Sequence, residues 1–420
     1  MKRYKVLLKS SDFRKLFSNF SALFVIQIAN YVLPILVLPL LVRQLGAENF
    51  GLVMFAQSMM VFFHVFVDFG FSLSGTREVS LNKDTPEELS NIFSAILFIK
   101  VILLILGAGV LAIVIFSFDR FKGEELVYLL SYGIVIGQGL FPIWYFQGVE
   151  KMKVITLLNV SAKVIFTLLV FVSIREESDY LLVPIFNSFG FIISGILGLV
   201  LAIKSLKIRK PKMSLTIRLL KESSLLFYSN VATSLYTASN VFILGYFSGN
   251  VMAGIFASME KLILAVKNIY VPIYQAVFPW LSKKSPAEIR ELIKKSYPFI
   301  GLIGVLMFIT ILFGAETILN LLYNDQRIGE YFYVLQLLGL IAIFSGLNML
   351  FNTLYFPAIK AYSVRTKILI AGAVISVILS LIFVPLYNIN ATAIITVVTE
   401  LLLLIFAVFY FIKENPFKNA

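Results

Sequence analysis

The chain is a succession of apolar runs that recur between Phe20 and Ile412 with only short polar interruptions. A helix of about 20 apolar residues crosses the hydrocarbon core of a bilayer, which is about 30 Å thick. Of the 420 residues, 59% are hydrophobic and 14% are charged, whereas soluble domains carry about 45–50% apolar and about 25% charged residues. The sequence therefore predicts an integral membrane protein.

We interpret the runs as twelve transmembrane helices, so the predicted fold class is all-α. The segments between them are short and contain charged residues, Gly, Asn or Pro, which favour helix ends. The predicted spans are 19–42, 50–72, 92–117, 126–147, 154–173, 180–203, 224–246, 252–281, 297–319, 331–355, 364–385 and 391–412.

Lys and Arg are distributed unequally between the two sides of such a bundle. With twelve spans, 27 of them fall on one side, 5 on the other and 4 within spans. Cytoplasmic loops are enriched in Lys and Arg, so we expect both termini in the cytoplasm. The net charge of +13 then indicates membrane orientation rather than nucleic-acid binding.

A basic segment at 204–223 separates the sixth span from the seventh. We interpret it as a cytoplasmic linker between an N-terminal six-helix lobe at 1–203 and a C-terminal six-helix lobe at 224–420. Paired halves are common in transporters, which bind substrate between them near the membrane midplane.

The first hairpin of each lobe contains a pair of glycines at equal spacing. Gly46 and Gly51 bracket one predicted turn, and Gly249 and Gly254 bracket the other. This echo is compatible with an internal duplication, although two glycines alone are a weak pattern.

Residue types that many enzymes require are rare. The sequence has no Cys and a single His, His64. Thiolate metal sites, zinc sites built from several His and Ser/His/Asp triads that use another base are therefore excluded. A Gly-rich phosphate loop is missing as well, which argues against ATP hydrolysis. We expect a protein that is not an enzyme and carries no metal and no cofactor.

Four lysines lie inside predicted spans, namely Lys100, Lys163, Lys261 and Lys267. A charged side chain at the centre of a spanning helix costs roughly 2.5–3.5 kcal/mol, so it usually faces a bundle interior or water. Their shared sign favours an anionic ligand in a cationic cavity. The alternative is that the long side chains extend to the nearest headgroups.

Four further titratable residues are candidates for proton or ion coupling: Glu260, Glu400, Asp68 and His64. Glu260 lies two helical turns before Lys267 on the same face, so it is a candidate neutralising neighbour of the cavity or, equally, a carboxylate that changes protonation during transport. His64 and Asp68 are four residues apart, which places them on one helix face and makes a proton relay conceivable. The alternative for Asp68 is a solvated carboxylate near the cytoplasmic end of its span.

The first third of the chain carries a family resemblance. Its motifs are Asn30-Tyr31-Val32-Leu33-Pro34, the stretch from Pro39 to Gly51, Asp68-Phe69-Gly70-Phe71 and Thr76-Arg77-Glu78. In order and spacing, with Lys100 in the following span, they resemble the O-antigen flippases of the Wzx type, a polysaccharide-transport branch of the MOP exporters. The resemblance covers approximately residues 19 to 105.

The resemblance implies two six-helix lobes packed as a V, as in MATE transporters, around a central cationic cavity. It implies that the substrate is an oligosaccharide repeat unit on undecaprenyl pyrophosphate, flipped across the bacterial inner membrane by alternating access. Counter-transport of H⁺ or Na⁺ would supply energy, and a polysaccharide polymerase and a chain-length regulator are candidate protein partners. Arg43 and Arg77 match family motifs and join the lysines as candidate cationic residues.

Three other functions remain open at this stage. A multidrug exporter of the MATE type would share the span count, but it moves cations, which a lysine-lined cavity suits poorly. A peptidoglycan-precursor flippase would resemble this chain but usually has two additional spans. A membrane-embedded polysaccharide polymerase or ligase would be an enzyme, and such enzymes typically carry a large external loop.

Overall fold

A computed structural model of the chain describes residues 11–282 and 284–413. Within these ranges all the regular secondary structure is helical. The α-helices are α1 (Ser11–Asp68), α2 (Phe71–Leu81), α3 (Pro86–Ser117), α4 (Glu125–Leu140), α5 (Ile143–Gly148), α6 (Met152–Ser173), α7 (Leu182–Ile203), α8 (Met213–Asn268), α9 (Tyr270–Leu281), α10 (Pro286–Tyr323), α11 (Gln326–Gly329), α12 (Phe332–Gly339), α13 (Ile341–Met349), α14 (Phe356–Ala358) and α15 (Tyr362–Lys413). Two short 3₁₀ segments, Asp119–Phe121 and Glu177–Leu181, and a π-helical segment, Leu350–Tyr355, complete the set.

The three longest helices are each interrupted at one residue. The interruptions are Gly46 in α1, Gly249 in α8 and Asn388 in α15, with φ angles of 69°, 84° and 51°. Positive φ is adopted readily by Gly and, among other residues, chiefly by Asn and Asp. Each interruption falls in a gap that the sequence predicts between two spans, so these three helix breaks lie where the sequence places them.

Nine helices in the described part of the chain are long and apolar enough to cross a membrane. One of them, α15, has 52 residues, and its break at Asn388 leaves a length on each side that exceeds the roughly 20 residues of one crossing. The protein is therefore a multi-pass, all-helical membrane protein. The count of twelve spans stays a prediction.

Residue contacts divide the chain into two compact units. The first contains the described residues 11–37 and 60–230, and the second contains 38–59 and 231–413. Helix α8 begins at Met213, inside the segment that the sequence assigns to a linker. The division into lobes at a linker over 204–223 stays a prediction.

In the second unit, α1 and α8 approach closely at the two glycine pairs. A Cβ atom on Gly51 would collide with the carbonyl oxygen of Asn250, and one on Gly254 would collide with that of Ala47 and lie 3.0 Å from the Cα of Gly51. Small residues allow such backbone contact between membrane helices. The contact is reciprocal: Gly51 meets the residue after Gly249, and Gly254 meets the residue after Gly46. The equal spacing of the two glycine pairs therefore has a packing basis.

Candidate functional site

The first unit contains a buried ion pair between Lys100 on α3 and Asp68 at the end of α1. The Nζ of Lys100 lies 3.5 Å from Oδ1 of Asp68, and the two side chains are 2% and 8% exposed. The hydroxyl of Ser72 donates a hydrogen bond of 2.8 Å to the same Oδ1. A buried charge needs a partner of this kind. Lys100 therefore faces the interior, and the alternative of a solvated Asp68 is wrong.

His64 lies on α1 one turn before Asp68. Its Nδ1 is buried and makes no hydrogen bond within the described residues. An imidazole nitrogen in this state is available to a water molecule or a ligand. The proton relay through His64 and Asp68 stays a prediction.

The second unit contains a second ion pair, between Lys267 on α8 and Glu400 on α15. Asn348 on α13 donates hydrogen bonds through Nδ2 to Oε2 of Glu400, at 2.6 Å, and to its backbone oxygen, at 2.8 Å. The side chain of Lys267 is 23% exposed and that of Glu400 only 4%. The carboxylate is therefore fixed in the interior, whereas the lysine is the more accessible member.

A row of buried polar side chains, which we call the polar stripe, continues from this ion pair. It consists of Ser345, Asn348 and Asn352, whose spacing places them on one helix face. In the described part of the chain, Oγ of Ser345 and Oδ1 of both asparagines are buried without a hydrogen-bond partner. Asn352 lies in the π-helical segment Leu350–Tyr355, a conformation frequent at functional sites. The sequence analysis missed the stripe, although three polar residues at this spacing in an apolar run could have indicated it.

Glu260 is a further candidate for ion coupling on α8. Its Oε1 accepts a hydrogen bond of 3.4 Å from Asn240, and Lys267 is paired with Glu400. Glu400 is therefore the carboxylate that pairs with Lys267, from another helix. The roles expected for Glu260, to neutralise the cavity or to change protonation during transport, stay predictions.

The two remaining lysines are less enclosed. Lys163 on α6 is half-buried and Lys261 on α8 is exposed. The exposure of Lys261 agrees with a long side chain that reaches a polar boundary.

The two arginines of the family motifs take different positions. Arg43 donates hydrogen bonds of 2.8 and 2.5 Å to the carbonyl oxygens of Leu322 and Leu321. These carbonyls belong to the last turn of α10, where they lack partners within the helix. Arg43 therefore stabilises a helix end. Arg77 is exposed on α2.

The buried member of the Thr-Arg-Glu motif is Glu78. Its carboxylate pairs with Arg218 on α8 at 3.1 Å, while the Thr76 hydroxyl donates a hydrogen bond of 3.0 Å to Gln147. The sequence analysis did not single out Glu78, since its partner lies 140 residues away.

Comparison with known sequences gives matches along most of the chain. Residues 16–285 match the family described as "Polysaccharide biosynthesis protein". The protein named "Putative O-antigen transporter" in Escherichia coli (strain K12) is 29% identical over 392 residues, which cover 91% of this chain and 94% of that protein. A protein of the same name in Shigella dysenteriae is 29% identical over 400 residues, covering 92% and 98%.

Solved structures of two transporter types share the fold. The lipid II flippase MurJ in an inward closed conformation has a TM-score of 0.73 at 16% identity, over 93% of this chain and 86% of that one. An inward-facing multidrug resistance MATE transporter of the MOP superfamily has a TM-score of 0.71 at 13% identity, over 92% and 95%.

Proposed function

This chain belongs to the family of polysaccharide biosynthesis proteins, and we propose that it flips lipid-linked oligosaccharides across a membrane. The substrate is an oligosaccharide repeat unit on undecaprenyl pyrophosphate, of the O-antigen or a related surface polysaccharide. The protein moves it from the cytoplasmic to the periplasmic leaflet of the bacterial inner membrane by alternating access. It acts as a transporter rather than as an enzyme, with both termini in the cytoplasm.

The observation that carries this proposal is the extent of the sequence match. Relatives named as O-antigen transporters align with at least 91% of the chain, so both units take part in the likeness. The resemblance to MATE and MurJ structures, at 13% and 16% identity, indicates the fold and leaves the substrate open. The flippase reading is therefore preferred to a multidrug exporter or a peptidoglycan-precursor flippase.

The two buried ion pairs suit an anionic headgroup. In the described conformation Asp68 neutralises Lys100, and Glu400 neutralises Lys267. A pyrophosphate offers each lysine a stronger anionic partner than a single carboxylate. We expect the headgroup to draw Lys267 from Glu400 first, because Lys267 is the more exposed of the two lysines. Lys100 and the half-buried Lys163 are the further ligands that we propose.

A carboxylate that loses its lysine needs another cation. Glu400 stays in place through Asn348, whose Oδ1 is a neutral oxygen atom of the type that hard cations prefer as a ligand. Once the substrate-loaded protein opens to the periplasm, H⁺ or Na⁺ would therefore enter at Glu400 from that side, as counter-transport requires. The membrane potential contributes about 2.3 kcal/mol per charge per 100 mV, enough to bias such a cycle.

The test is translocation of a fluorescent undecaprenyl-pyrophosphate oligosaccharide in proteoliposomes. We expect the native protein to move the probe to the opposite leaflet under an imposed potential, and the Lys100→Ala and Lys267→Ala variants to be at least tenfold slower. A folded native protein that leaves the probe in place under every gradient, yet exports a cationic dye, would contradict the proposal. Binding of the two candidate protein partners, a polysaccharide polymerase and a chain-length regulator, is tested separately by co-purification.

A further inference from the structure

The segment that follows α7 is fixed along the surface of α3. Residues 204–212 are non-helical, and the backbone N–H of Lys207 donates to the Ser90 hydroxyl at 3.3 Å while that of Arg209 donates to the Ser94 hydroxyl at 2.9 Å. Both hydroxyls also donate to carbonyl oxygens of α3, at 2.8 Å. The main chain of the segment is thus held against α3 by directional bonds.

This segment and the beginning of α3 line an open cleft of about 390 Å³, within the roughly 300–1,000 Å³ of small-molecule sites. Lys204, Lys207 and Arg209 line it, and Glu87 is the carboxylate among its lining residues. Arg209 already engages Glu87 at 2.6 Å. The two lysines therefore leave the cleft with an excess of positive charge.

The position of the cleft relates it to a membrane surface. It lies where two candidate membrane spans end, α3 at Pro86 and the span Glu177–Ile203. Pro86 and Leu206 add apolar atoms to its wall. The bias of Lys and Arg predicts that this is the cytoplasmic side. Basic pockets at the ends of membrane helices on that side suit acidic lipid headgroups.

We propose that this cleft binds the phosphodiester headgroup of an acidic phospholipid of the cytoplasmic leaflet. Lys204 and Lys207 contact the phosphate oxygens, and Arg209, held by Glu87, closes one wall. The site is separate from the buried ion pairs, and lipid binding there does not depend on which substrate is transported.

The test uses the full chain in nanodiscs of neutral lipid, titrated with fluorescent phosphatidylglycerol. The double variant Lys204→Gln/Lys207→Gln is compared with Lys210→Gln/Lys212→Gln, which removes the same charge from exposed lysines of the same segment that do not line the cleft. All four lysines are exposed, so both variants should fold, which size-exclusion chromatography verifies.

We expect the cleft variant to bind phosphatidylglycerol about tenfold more weakly and the control to change less than about threefold at physiological salt. Equal losses in both variants would mean general attraction to a basic surface and would overturn the site, as would no loss in either. Displacement of the lipid by millimolar glycerol phosphate would overturn the assignment to a lipid and indicate a soluble phosphate compound. None of these readouts involves transport, so a failure of the proposed function would leave the lipid-binding results unchanged.

Discussion

Lys267 and Glu400, 133 residues apart in the sequence, form an ion pair in which the lysine side chain is 23% exposed and the glutamate side chain 4%. The asymmetry has an energetic consequence. An unpaired lysine could reach water at this site, whereas an unpaired carboxylate would remain buried beside Asn348.

Lys267→Ala should therefore destabilise the protein more than Glu400→Gln does. Removing one partner of a buried pair costs about 3–5 kcal/mol because the other charge remains uncompensated, and we expect a smaller loss for Glu400→Gln. Thermal unfolding in detergent, followed by intrinsic fluorescence, measures both. The double variant Lys267→Met/Glu400→Gln should recover most of the loss, and equal destabilisation by the two single variants would contradict the asymmetry.

For variants of Lys100 and Asp68 we expect losses of stability that are similar in size. Both side chains are almost fully buried, so Lys100→Met and Asp68→Asn should each cost about 3–5 kcal/mol, and the double variant should regain most of it. The same thermal assay checks this. The exposed pair Lys83 and Glu150 is the control, and its single variants should change stability by less than about 1 kcal/mol.

Arg43→Ala should lower stability without a specific loss of substrate affinity. Two hydrogen bonds to the end of α10 are lost, and because Arg43 is exposed, water replaces part of them, for a net cost of about 1–2 kcal/mol. Arg77→Ala, an exposed arginine of the neighbouring motif, is the control and should be neutral in stability. A normal melting temperature combined with a raised KM in the proteoliposome assay would instead assign Arg43 to substrate binding.

Gly51→Ala and Gly254→Ala should each destabilise the second unit by about 3 kcal/mol, because the added methyl group meets backbone atoms that cannot move aside. Gly301→Ala on α10 is the matched control, since a Cβ there has no neighbour within 4 Å. The control should be neutral or stabilise by up to about 1 kcal/mol. The melting temperatures of the three variants measure this loss of stability. Equal melting temperatures in all three would exclude the close approach of α1 and α8.

Asn352→Leu separates the packing of the polar stripe from its proposed role in ion coupling. Replacing a buried amide that has an unsatisfied oxygen should raise stability by about 1 kcal/mol while it weakens the dependence of transport on the H⁺ or Na⁺ gradient. Asn91→Leu, whose Nδ2 is also buried and without a partner among the described residues, should be stabilised equally and keep its gradient dependence. Unchanged gradient dependence in Asn352→Leu would remove the stripe from the coupling mechanism.

The sequence by itself determined the membrane character, the helical class and the main interruptions of the chain. These properties are local. Hydrophobic length sets whether a segment can cross a bilayer, and Gly46, Gly249 and Asn388 carry their tolerance of positive φ wherever they occur. The sequence also singled out Lys100, Lys267 and Glu400 as titratable side chains inside predicted spans, since the cost of exposing a charge to hydrocarbon depends on its depth in the membrane.

Only the tertiary structure decided which charges meet. Spacing along one helix relates Glu260 to Lys267, but it could not indicate that α15 brings Glu400 to Lys267 from more than a hundred residues away. Likewise, Arg43 donates a hydrogen bond to a carbonyl oxygen of α10. The buried carboxylate of Asp68 is paired with Lys100, which α3 places beside it. A periodic pattern specifies the face on which a side chain lies, whereas its partner depends on how helices pack, which no local pattern contains.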